Sequence, residues 1–312
     1  MDRQATLMKI GLNIIEIRKI IGRFIGRRDG WSIGIYAGNS PCNLTPLKGI
    51  KNPVLKAKNV TDRNALFVAD PFMINEQGIW YMFFEVLDRE SKKGEIGLAT
   101  SSDGRRWVYQ KIVLSEQFHL SYPYVFKWQN EIYMIPESHE AKAIRLYKAV
   151  FFPHSWEFVG NLITGFDYID SSVFNYNNRW WMFTCPTTSG DTLKLFYSSD
   201  LKGPWQEHPA NPIIKGNAHI ARCGGRVIAT GDKIIRFTQD NYLCYGNCLR
   251  AFEITKLTSN EYEEKEYFAN PLLMADRRNW NKLGMHTIDP HQLGKDNWIA
   301  CVDGNRGVIE LR

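Results

Sequence analysis

Pairs of carboxylates stand at the two ends of short apolar hairpins in this sequence. In the stretch ADPFMINEQGIWYMFFE, Asp70 precedes and Glu85 follows two apolar runs that a turn divides. Two carboxylates held close together can work as acid and base, and they can also accept hydrogen bonds from a polar ligand. Such chemistry requires an architecture that brings both ends of the hairpin to the same place.

The same layout returns along the chain at a period near fifty residues. Residues 122–137 read YPYVFKWQNEIYMIPE and residues 170–185 read DSSVFNYNNRWWMFTC, with the same separation of fifteen between first and last residue as in the first copy. Weaker copies cover residues 222–240 and 289–303. Each of the first four copies continues into a second hairpin, and an aromatic residue marks its second strand: Trp107, Trp156, Trp205 and Tyr262.

Four antiparallel strands per repeat and five repeats predict an all-β fold, a five-bladed β-propeller over residues 30–312. The last copy lacks outer strands. The N-terminal stretch WSIGIYAG resembles the third strand of the other blades, and NPVL at Asn52 resembles NPII at Asn211 and NPLL at Asn270. We therefore expect N-terminal strands to complete blade five and close the ring, which removes exposed sheet edges.

In a propeller blade the innermost strand leaves one face and the second strand returns to it, so both ends of each hairpin meet at one rim. The predicted rim residues are Asp70, Glu85, Tyr122, Glu137, Asp170, Arg222, Gln239, Asp240, Asp289 and Asp303, with His119, His219, His286 and His291 beside the strand starts. Because like charges repel at a narrow mouth, acids there need a ligand, a cation or hydrogen-bond donors. The pattern predicts a polar pocket on the central axis.

Simpler interpretations stay open for several of these residues. Asp70 and Asp289 each precede proline and can cap a turn, while Glu85 and Glu137 can pair with nearby Lys or Arg. The segment HTIDPH has metal-ligand residue types, but strand alternation sends His286 and His291 to opposite faces. We therefore predict no metal and no cofactor, and we favour a sugar-hydroxyl contact or a satisfied core histidine.

Residues 1–29 differ from the rest of the chain. Their Leu, Ile and Phe residues recur at spacings of three and four, and they hold seven Lys or Arg against three acids. This pattern predicts a basic amphipathic helix, which either lies on an anionic membrane surface or packs on protein. Since the formal charge of the whole chain is +6, the remainder is nearly neutral, and we expect no nucleic-acid partner.

No signal peptide and no apolar run of membrane-spanning length is apparent. A cytoplasmic location is the default expectation, with the inner membrane surface as the alternative through residues 1–29.

The motifs WSIGIYAG, FVADPF, WYMFFE, GEIGLATSSDG, HLSYPYVF, MIPES, HIAR, IIRFTQD and DPHQ…WIACVDG resemble, in order, the propeller domain that forms the N-terminal part of plant glucosamine inositolphosphorylceramide glycosyltransferases. The match covers about residues 31–304. In the plant proteins the transfer step is assigned to a separate C-terminal domain. The resemblance therefore implies a propeller that works in glycan or glycolipid metabolism.

The predicted architecture is also similar to five-bladed furanosidases and fructosidases, and this similarity implies catalytic roles. Asp70 would be the general base or nucleophile, Glu137 the general acid with a raised pKa, and Asp170 the residue that orients the acid. Glu85 competes with Glu137 for the acid role.

Three functions follow from these observations. The leading hypothesis is a carbohydrate-active propeller that cleaves or transfers a glycosyl unit at the channel mouth. Its rival is a non-catalytic module that recognises a glycan or glycolipid for a separate glycosyltransferase. A protein-interaction platform ranks last, because it predicts exposed apolar patches where the sequence places acids, His and Arg.

Overall fold

The computed structural model of the protein describes residues 25–28, 30–186, 190–231 and 233–311. Five antiparallel sheets in a five-bladed propeller arrangement account for nearly all of its regular structure. Two short 3-10 helices, Ala57–Asn59 and His139–Ala141, interrupt the strands. Within the described residues no helix is both long enough and apolar enough to cross a membrane.

The chain begins with three strands that belong to the end of the fold: β1 (Ile25–Arg28), β2 (Trp31–Ser40) and β3 (Asn43–Pro46). Blade one follows with β4 (Ala65–Glu76), β5 (Ile79–Asp88), β6 (Gly94–Ser101) and β7 (Val108–Leu114). Blade two contains β8 (Ser121–Trp128), β9 (Glu131–Glu137), β10 (Ala143–Phe151) and β11 (Ser155–Thr164). Blade three contains β12 (Ile169–Tyr176), β13 (Arg179–Cys185), β14 (Lys194–Ser198) and β15 (Gln206–Glu207).

Blade four has a fifth short strand, and blade five is built from both ends of the chain. Blade four contains β16 (Ile228–Thr230), β17 (Lys233–Asp240), β18 (Cys248–Leu257), β19 (Tyr262–Glu266) and β20 (Leu273–Met274). Blade five contains β21 (Ile288–Gly294) and β22 (Asn297–Asn305), and β2 pairs with β22 in eight register positions. The predicted closure by N-terminal strands is confirmed. A last strand, β23 (Val308–Leu311), pairs with β1.

Each sheet is buried on both faces near the axis and exposed at its outer edge. The second strand β5 is buried at seven of its ten positions, whereas the outer strand β7 has no buried residue. Aromatic rings fill the space between neighbouring blades, as where Phe83 of blade one meets Trp156 of blade two at 5.3 Å between ring centroids. Continuous apolar runs in the inner strands therefore reflect packing on both faces.

The repeated Asn-Pro motifs fasten the outer part of three blades. In each, the asparagine amide accepts a hydrogen bond from, and donates one to, the backbone of the third strand. The three pairs are Asn52 with Ile35, Asn211 with Leu195 and Asn270 with Ala251. The amide thereby satisfies one N–H and one C=O of a buried strand.

Asn270→Ala is expected to lower the free energy of unfolding by about 1–3 kcal/mol, because it leaves the buried backbone N–H of Ala251 without a partner and its carbonyl with only the Tyr267 N–H as donor. Urea unfolding measures the loss. Asn260→Ala, in an exposed turn of the same blade, is the matched control and should change stability by less than about 0.5 kcal/mol. Equal losses in the two variants would refute the role of the amide.

The predicted N-terminal helix lies mostly outside the described residues, since residues 1–24 and 29 are not among them. Its predicted end differs from the structure: Ile25–Arg28 is the strand β1, which pairs along its whole length with β23. Gly26 within this stretch disfavours a helix, and pairing satisfies the backbone instead.

Candidate functional site

Five carboxylates meet at one end of the propeller, where the inner strands begin and the second strands end. They are Asp70, Glu85, Glu137, Asp170 and Asp303, here called the acidic floor, and none is more than 6% exposed. Asp70 and Asp170 adopt left-handed backbone conformations, with φ of 50° and 49°. Both lie where the pairing of the inner strand is irregular, between Ala69 and Phe72 and between Ile169 and Ser172. The irregularity re-aims each side chain toward the axis.

Asp303 is the hydrogen-bonding centre on the side of blade five. One carboxylate oxygen accepts the backbone N–H groups of His286 and Thr287 at 2.9 and 3.0 Å, and the other accepts that of Asp70 at 3.2 Å. The Nδ1 atom of His286 lies 2.5 Å from the second oxygen. Thr287 also donates its hydroxyl to Asp70 at 2.6 Å. Blades one and five are thus joined through one buried carboxylate.

Arg222 from blade four joins the carboxylates of blades two and three. Its Nε donates to Asp170 at 2.5 Å, and its terminal nitrogen lies 4.0 Å from Glu137. Gln239 donates to the same oxygen of Asp170 at 2.6 Å. Glu137 also contacts His139 Nδ1 at 2.8 Å and accepts the backbone N–H of Asp170 at 3.3 Å. These contacts hold Asp170 and Glu137 in fixed orientations.

Glu85 is the carboxylate of the floor with the fewest partners. Its one described polar neighbour is His119, whose Nε2 lies 3.4 Å from one oxygen. Since His119 accepts the backbone N–H of Gly94 at Nδ1, the neutral ring carries its proton on Nε2, toward Glu85. Burial lowers the pKa of His119, so this neighbour supplies no full positive charge.

The carboxyl groups of the floor titrate differently because their partners differ. Burial, and then the nearby carboxylates Asp70 and Glu137, raise the pKa of Glu85 well above its usual value. Burial opposes ionisation of Glu137 too, but the hydrogen bond from His139 and the charge of Arg222 lower its pKa. The prediction that Glu137 has a raised pKa is therefore wrong, because its partners come from outside its own hairpin.

Two aspartates of the floor, Asp70 and Asp170, have pKa values raised to near neutrality. Burial raises the pKa of Asp70 to about 6, although His286 opposes the shift. Burial raises the pKa of Asp170 to about 7, and the Arg222 guanidinium favours its charged form against that shift. Burial alone would lower the pKa of His286, but the charges of Asp303 and Asp70 raise it. The floor therefore combines Glu85, whose protonated form is favoured by its raised pKa, with fixed ion pairs.

Glu85→Gln is expected to stabilise the protein increasingly as the pH rises above about 4.3, the pKa of an unfolded glutamate. A raised folded pKa means that the folded state retains the proton. In the wild type, the stability that depends on protonated Glu85 is complete below the unfolded pKa and is lost as the pH rises through the folded pKa. Glutamine imitates the protonated form at every pH, so the variant does not lose this stability. Urea unfolding at pH 5 and pH 8 tests this, with the exposed Glu90→Gln as control. An effect of Glu85→Gln that is the same at both pH values would contradict a protonated Glu85.

The remaining predicted site residues direct their side chains to partners outside the acidic floor: Tyr122, His219, Asp240, Asp289 and His291. Tyr122 is fully buried and directs its hydroxyl to Ser172 and to the carbonyl of Gly225, away from solvent. His219 and Asp240 pair with each other at 2.9 Å at the edge of blade four. Asp240 also binds Arg250 at 3.0 Å, so its charge is compensated.

Asp289 and His291 lie deeper in the channel than the floor. Asp289 is fully buried and binds Arg226 at 2.5 Å and His291 at 2.9 Å. Arg226 also donates to the carbonyls of Val125 and Met73, so from blade four it reaches blades one, two and five. Arg226 and Asp289 thus join the inner strands of these three blades.

The reason for this depth is the register of β21. In β21, Asp289 pairs directly with Cys301, and the strand lacks the irregularity that precedes Phe72 in β4. The expectation that Asp70 and Asp289 occupy equivalent places is therefore wrong. The sequence held a signal, because Asp289 and Asp303 are fourteen residues apart rather than fifteen.

Asp70, His286 and Asp303 also have the spacing of a metal site. One ligand atom from each lies within 4.8 Å of the others. His286 and Asp303 are, however, already engaged with each other, and one oxygen of Asp70 accepts the Thr287 hydroxyl. A metal ion would have to displace the short His286 to Asp303 contact.

Sequence reasoning missed an aromatic loop beside the floor. Residues 241–247, here called the tyrosine loop, join β17 to β18 and expose Tyr242, Leu243 and Tyr245 by 66%, 76% and 47%. The Tyr245 ring lies 5.2 Å from His286 and 6.1 Å from Trp31, and Arg222 lies 5.3 Å from its centroid. The sequence does show that the tyrosine loop follows the segment IIRFTQD and so leaves the same rim as Gln239 and Asp240. Strand patterns do not show, however, in which direction such a loop folds.

Comparison with known proteins is consistent with this architecture. The family described as glucosamine inositolphosphorylceramide transferase 1, N-terminal, matches residues 26–305. Glucosamine inositolphosphorylceramide transferase 1 of Oryza sativa subsp. japonica is 37% identical over 298 residues, which cover 88% of this chain and 40% of the relative. The protein of the same description from Arabidopsis thaliana is 34% identical, covering 88% and 39%. The chain thus spans about 40% of the length of these relatives.

Solved structures share the fold at low sequence identity. A putative glycosidase from Bacteroides thetaiotaomicron has a TM-score of 0.62 at 12% identity, covering 86% of this chain and 98% of that one. A β-1,2-mannobiose phosphorylase from Listeria innocua has a TM-score of 0.60 at 13% identity, covering 87% and 96%. The catalytic domain of an α-L-arabinofuranosidase from Coprinopsis cinerea has a TM-score of 0.56 at 12% identity, covering 89% and 97%. At these identities the likeness concerns the fold alone.

Proposed function

The chain belongs to the family of the N-terminal domain of glucosamine inositolphosphorylceramide transferase 1, and we propose that it binds a carbohydrate at the acidic floor. The ligand class is a glycan, a glycolipid headgroup or another sugar conjugate. The name of the relatives contains an amino sugar, glucosamine, and an inositol lipid, inositolphosphorylceramide, and the fold neighbours include a protein named as an arabinofuranosidase. Both sets of names support a carbohydrate ligand.

The observation that carries the proposal is the pairing of the floor's charges. Asp170 is bound to Arg222, Asp303 to His286, and Glu137 to His139. Each pair compensates charge, and the partly exposed Arg222 and His139 side chains keep further N–H groups for a ligand, whose sugar hydroxyls donate and accept at once. Because the side chains are already held, little conformational entropy is lost on binding.

The tyrosine loop supplies the second element of such a site. Tyr245 stands at the edge of the floor with nearly half of its surface exposed, and Tyr242 stacks on His219 at 4.2 Å between centroids. Aromatic rings of this kind combine a flat apolar face with a polar tip. They suit the apolar C–H face of a sugar ring while the floor binds its hydroxyls.

Calorimetric titration with a panel of neutral, amino and acidic sugars and oligosaccharides tests the proposal. We expect at least one saccharide to bind, and Tyr245→Ala to weaken its affinity about tenfold or more. Phe151→Ala, which truncates an exposed aromatic residue at the opposite end of blade two, should leave the affinity unchanged. Equal affinity in both variants would place the ligand away from the tyrosine loop.

A second candidate function is hydrolysis of a glycosidic bond, which the opposite pKa shifts of Glu85 and Glu137 favour. A protonated carboxyl and an ionised one in the same site are the acid and the base that this reaction needs. Glu85 would donate its proton to the leaving oxygen, while Asp70 or Glu137 accepts a proton from the attacking water or attacks the sugar directly. This assignment gives the acid role to Glu85, which the sequence analysis named as the competitor of Glu137 for that role.

Glu85→Gln separates the two functions. If the protein hydrolyses the bound saccharide, the substitution should lower the rate of cleavage by about 100-fold or more while binding persists. If the protein only binds, neither wild type nor variant releases product, and affinity changes modestly. Product release that Glu85→Gln leaves intact would exclude Glu85 as the acid.

A further inference from the structure

The acidic end of the propeller exposes an apolar loop tip. Tyr242, Leu243 and Tyr245 are 66%, 76% and 47% exposed, and large apolar side chains exposed together mark an interaction surface. The loop itself is well fixed: Asn241 accepts the backbone N–H of Gly246 at 2.7 Å, and Asn247 donates to the carbonyl of Asp240 at 3.1 Å. The exposed side chains are therefore presented outward by an ordered turn.

Charge is distributed unequally between the two ends of the propeller. The loops that join strands at the acidic end are 47–64, 89–93, 115–120, 138–142, 165–168, 186–193, 208–227, 241–247, 267–287 and 306–307. Leaving aside Arg222 and Arg226, whose contacts lie inside the channel, and Lys48, whose carbonyl accepts a hydrogen bond from Arg105 at the opposite end, the described residues of these loops include thirteen Lys or Arg and seven Asp or Glu. The described loop residues at the opposite end include four Lys or Arg and four Asp or Glu. The small acidic floor is thus surrounded by a basic periphery.

Trp31 connects the apolar tip to part of this basic periphery. Its ring lies 6.1 Å from Tyr245 and stacks on His286 at 3.9 Å. It also lines a groove of about 280 Å³ together with Lys56, Lys58 and Arg306, and no acidic side chain is among the groove's described lining residues. All three basic residues are exposed. Apolar and basic side chains therefore adjoin on one face.

From this arrangement we infer that the acidic end docks on an anionic lipid membrane. Basic side chains attract anionic headgroups, and an exposed Leu and Tyr reach the boundary between headgroups and acyl chains. A soluble polyanion would use the charges but would gain nothing from Leu243. Residues 1–24 precede this groove in the chain and add five Lys or Arg against two acids.

This inference does not depend on the carbohydrate proposal, but it gives that proposal an orientation. With the acidic end against the membrane, the floor and the tyrosine loop face the lipid headgroups. A sugar attached to a lipid would then reach the floor without leaving the membrane surface.

Sedimentation of the full chain with lipid vesicles tests the inference. The vesicles contain phosphatidylcholine alone, or phosphatidylcholine with about a third phosphatidylglycerol, at low and physiological salt. We expect binding to the anionic vesicles only, with Leu243→Ser weakening it several-fold. In the double variant Lys56→Glu, Lys58→Glu, each lost basic charge should lower the partition coefficient about fivefold.

Matched controls at the opposite end decide the outcome. Phe151→Ser removes an exposed apolar side chain there, and Lys202→Glu reverses an exposed charge there. We expect both to bind as the wild type does. Three results would overturn the inference: no binding to anionic vesicles, variants at the acidic end that bind as well as the controls, or binding to dextran sulfate that equals vesicle binding and ignores Leu243→Ser.

Discussion

Arg222→Met is expected to abolish carbohydrate binding and to destabilise the protein by about 3–5 kcal/mol. Arg222 is the cation that faces Asp170 at 2.5 Å, and Asp170 is 1% exposed. Removing the guanidinium leaves a buried carboxylate with the Gln239 amide as its remaining side-chain donor. The same substitution also removes the N–H groups that would reach a sugar hydroxyl.

Urea unfolding and calorimetric titration measure the two effects separately. Arg105→Met is the control, because Arg105 is exposed in a loop at the opposite end, and it should change neither quantity appreciably. A variant at Arg222 that keeps wild-type affinity would show that the guanidinium does not contact the ligand. A variant at Arg222 that keeps wild-type stability would show that the ion pair between Arg222 and Asp170 contributes nothing to the free energy of unfolding.

Asp303→Asn is expected to lower the free energy of unfolding by about 3 kcal/mol or more, although the two side chains have nearly the same shape. The carboxylate of Asp303 accepts three backbone N–H groups and faces His286 at 2.5 Å. An amide has only one acceptor oxygen, so its NH₂ group must face donors. The charge that compensates His286 is lost as well.

The effect should appear in thermal or urea unfolding and should be absent in Asp296→Asn. Asp296 lies in the exposed turn of the same hairpin, so this control reports the cost of an Asp to Asn change without the network. Because Asp303 joins blades one and five, the variant should also unfold with reduced cooperativity between them. Equal stability of the two variants would remove Asp303 from the account of how the ring is closed.

The fold was predictable because each blade repeats the same local pattern. The hairpins whose first and last residues are fifteen positions apart identified the inner strands, and the aromatic residues at Trp107, Trp156 and Trp205 marked the outer ones. The completion of blade five by β2 was also predictable, since β22 needed an apolar neighbour and only the N-terminus supplied one. Each of these features depends on residues close in sequence or on a repeated unit.

The properties of the site were less predictable because they depend on contacts between blades. Glu85 and Glu137 occupy equivalent places on the second strands of their blades, yet their pKa values shift in opposite directions because Glu137 has two cationic partners, Arg222 from blade four and His139 from the following loop. Asp289 lies deeper in the channel than Asp70 because β21 lacks the extra residue that interrupts the pairing of β4 between Ala69 and Phe72. The direction of the tyrosine loop depends on packing against Trp31. None of these is encoded by strand periodicity.

A crystal structure with the saccharide that binds most tightly tests the central claim most directly. The account predicts a sugar ring against Tyr245, with hydroxyl groups within hydrogen-bond distance of Arg222 and of Glu85 or Glu137. A saccharide bound at the opposite end of the channel, or on an outer blade surface with the acidic floor unoccupied, would contradict it.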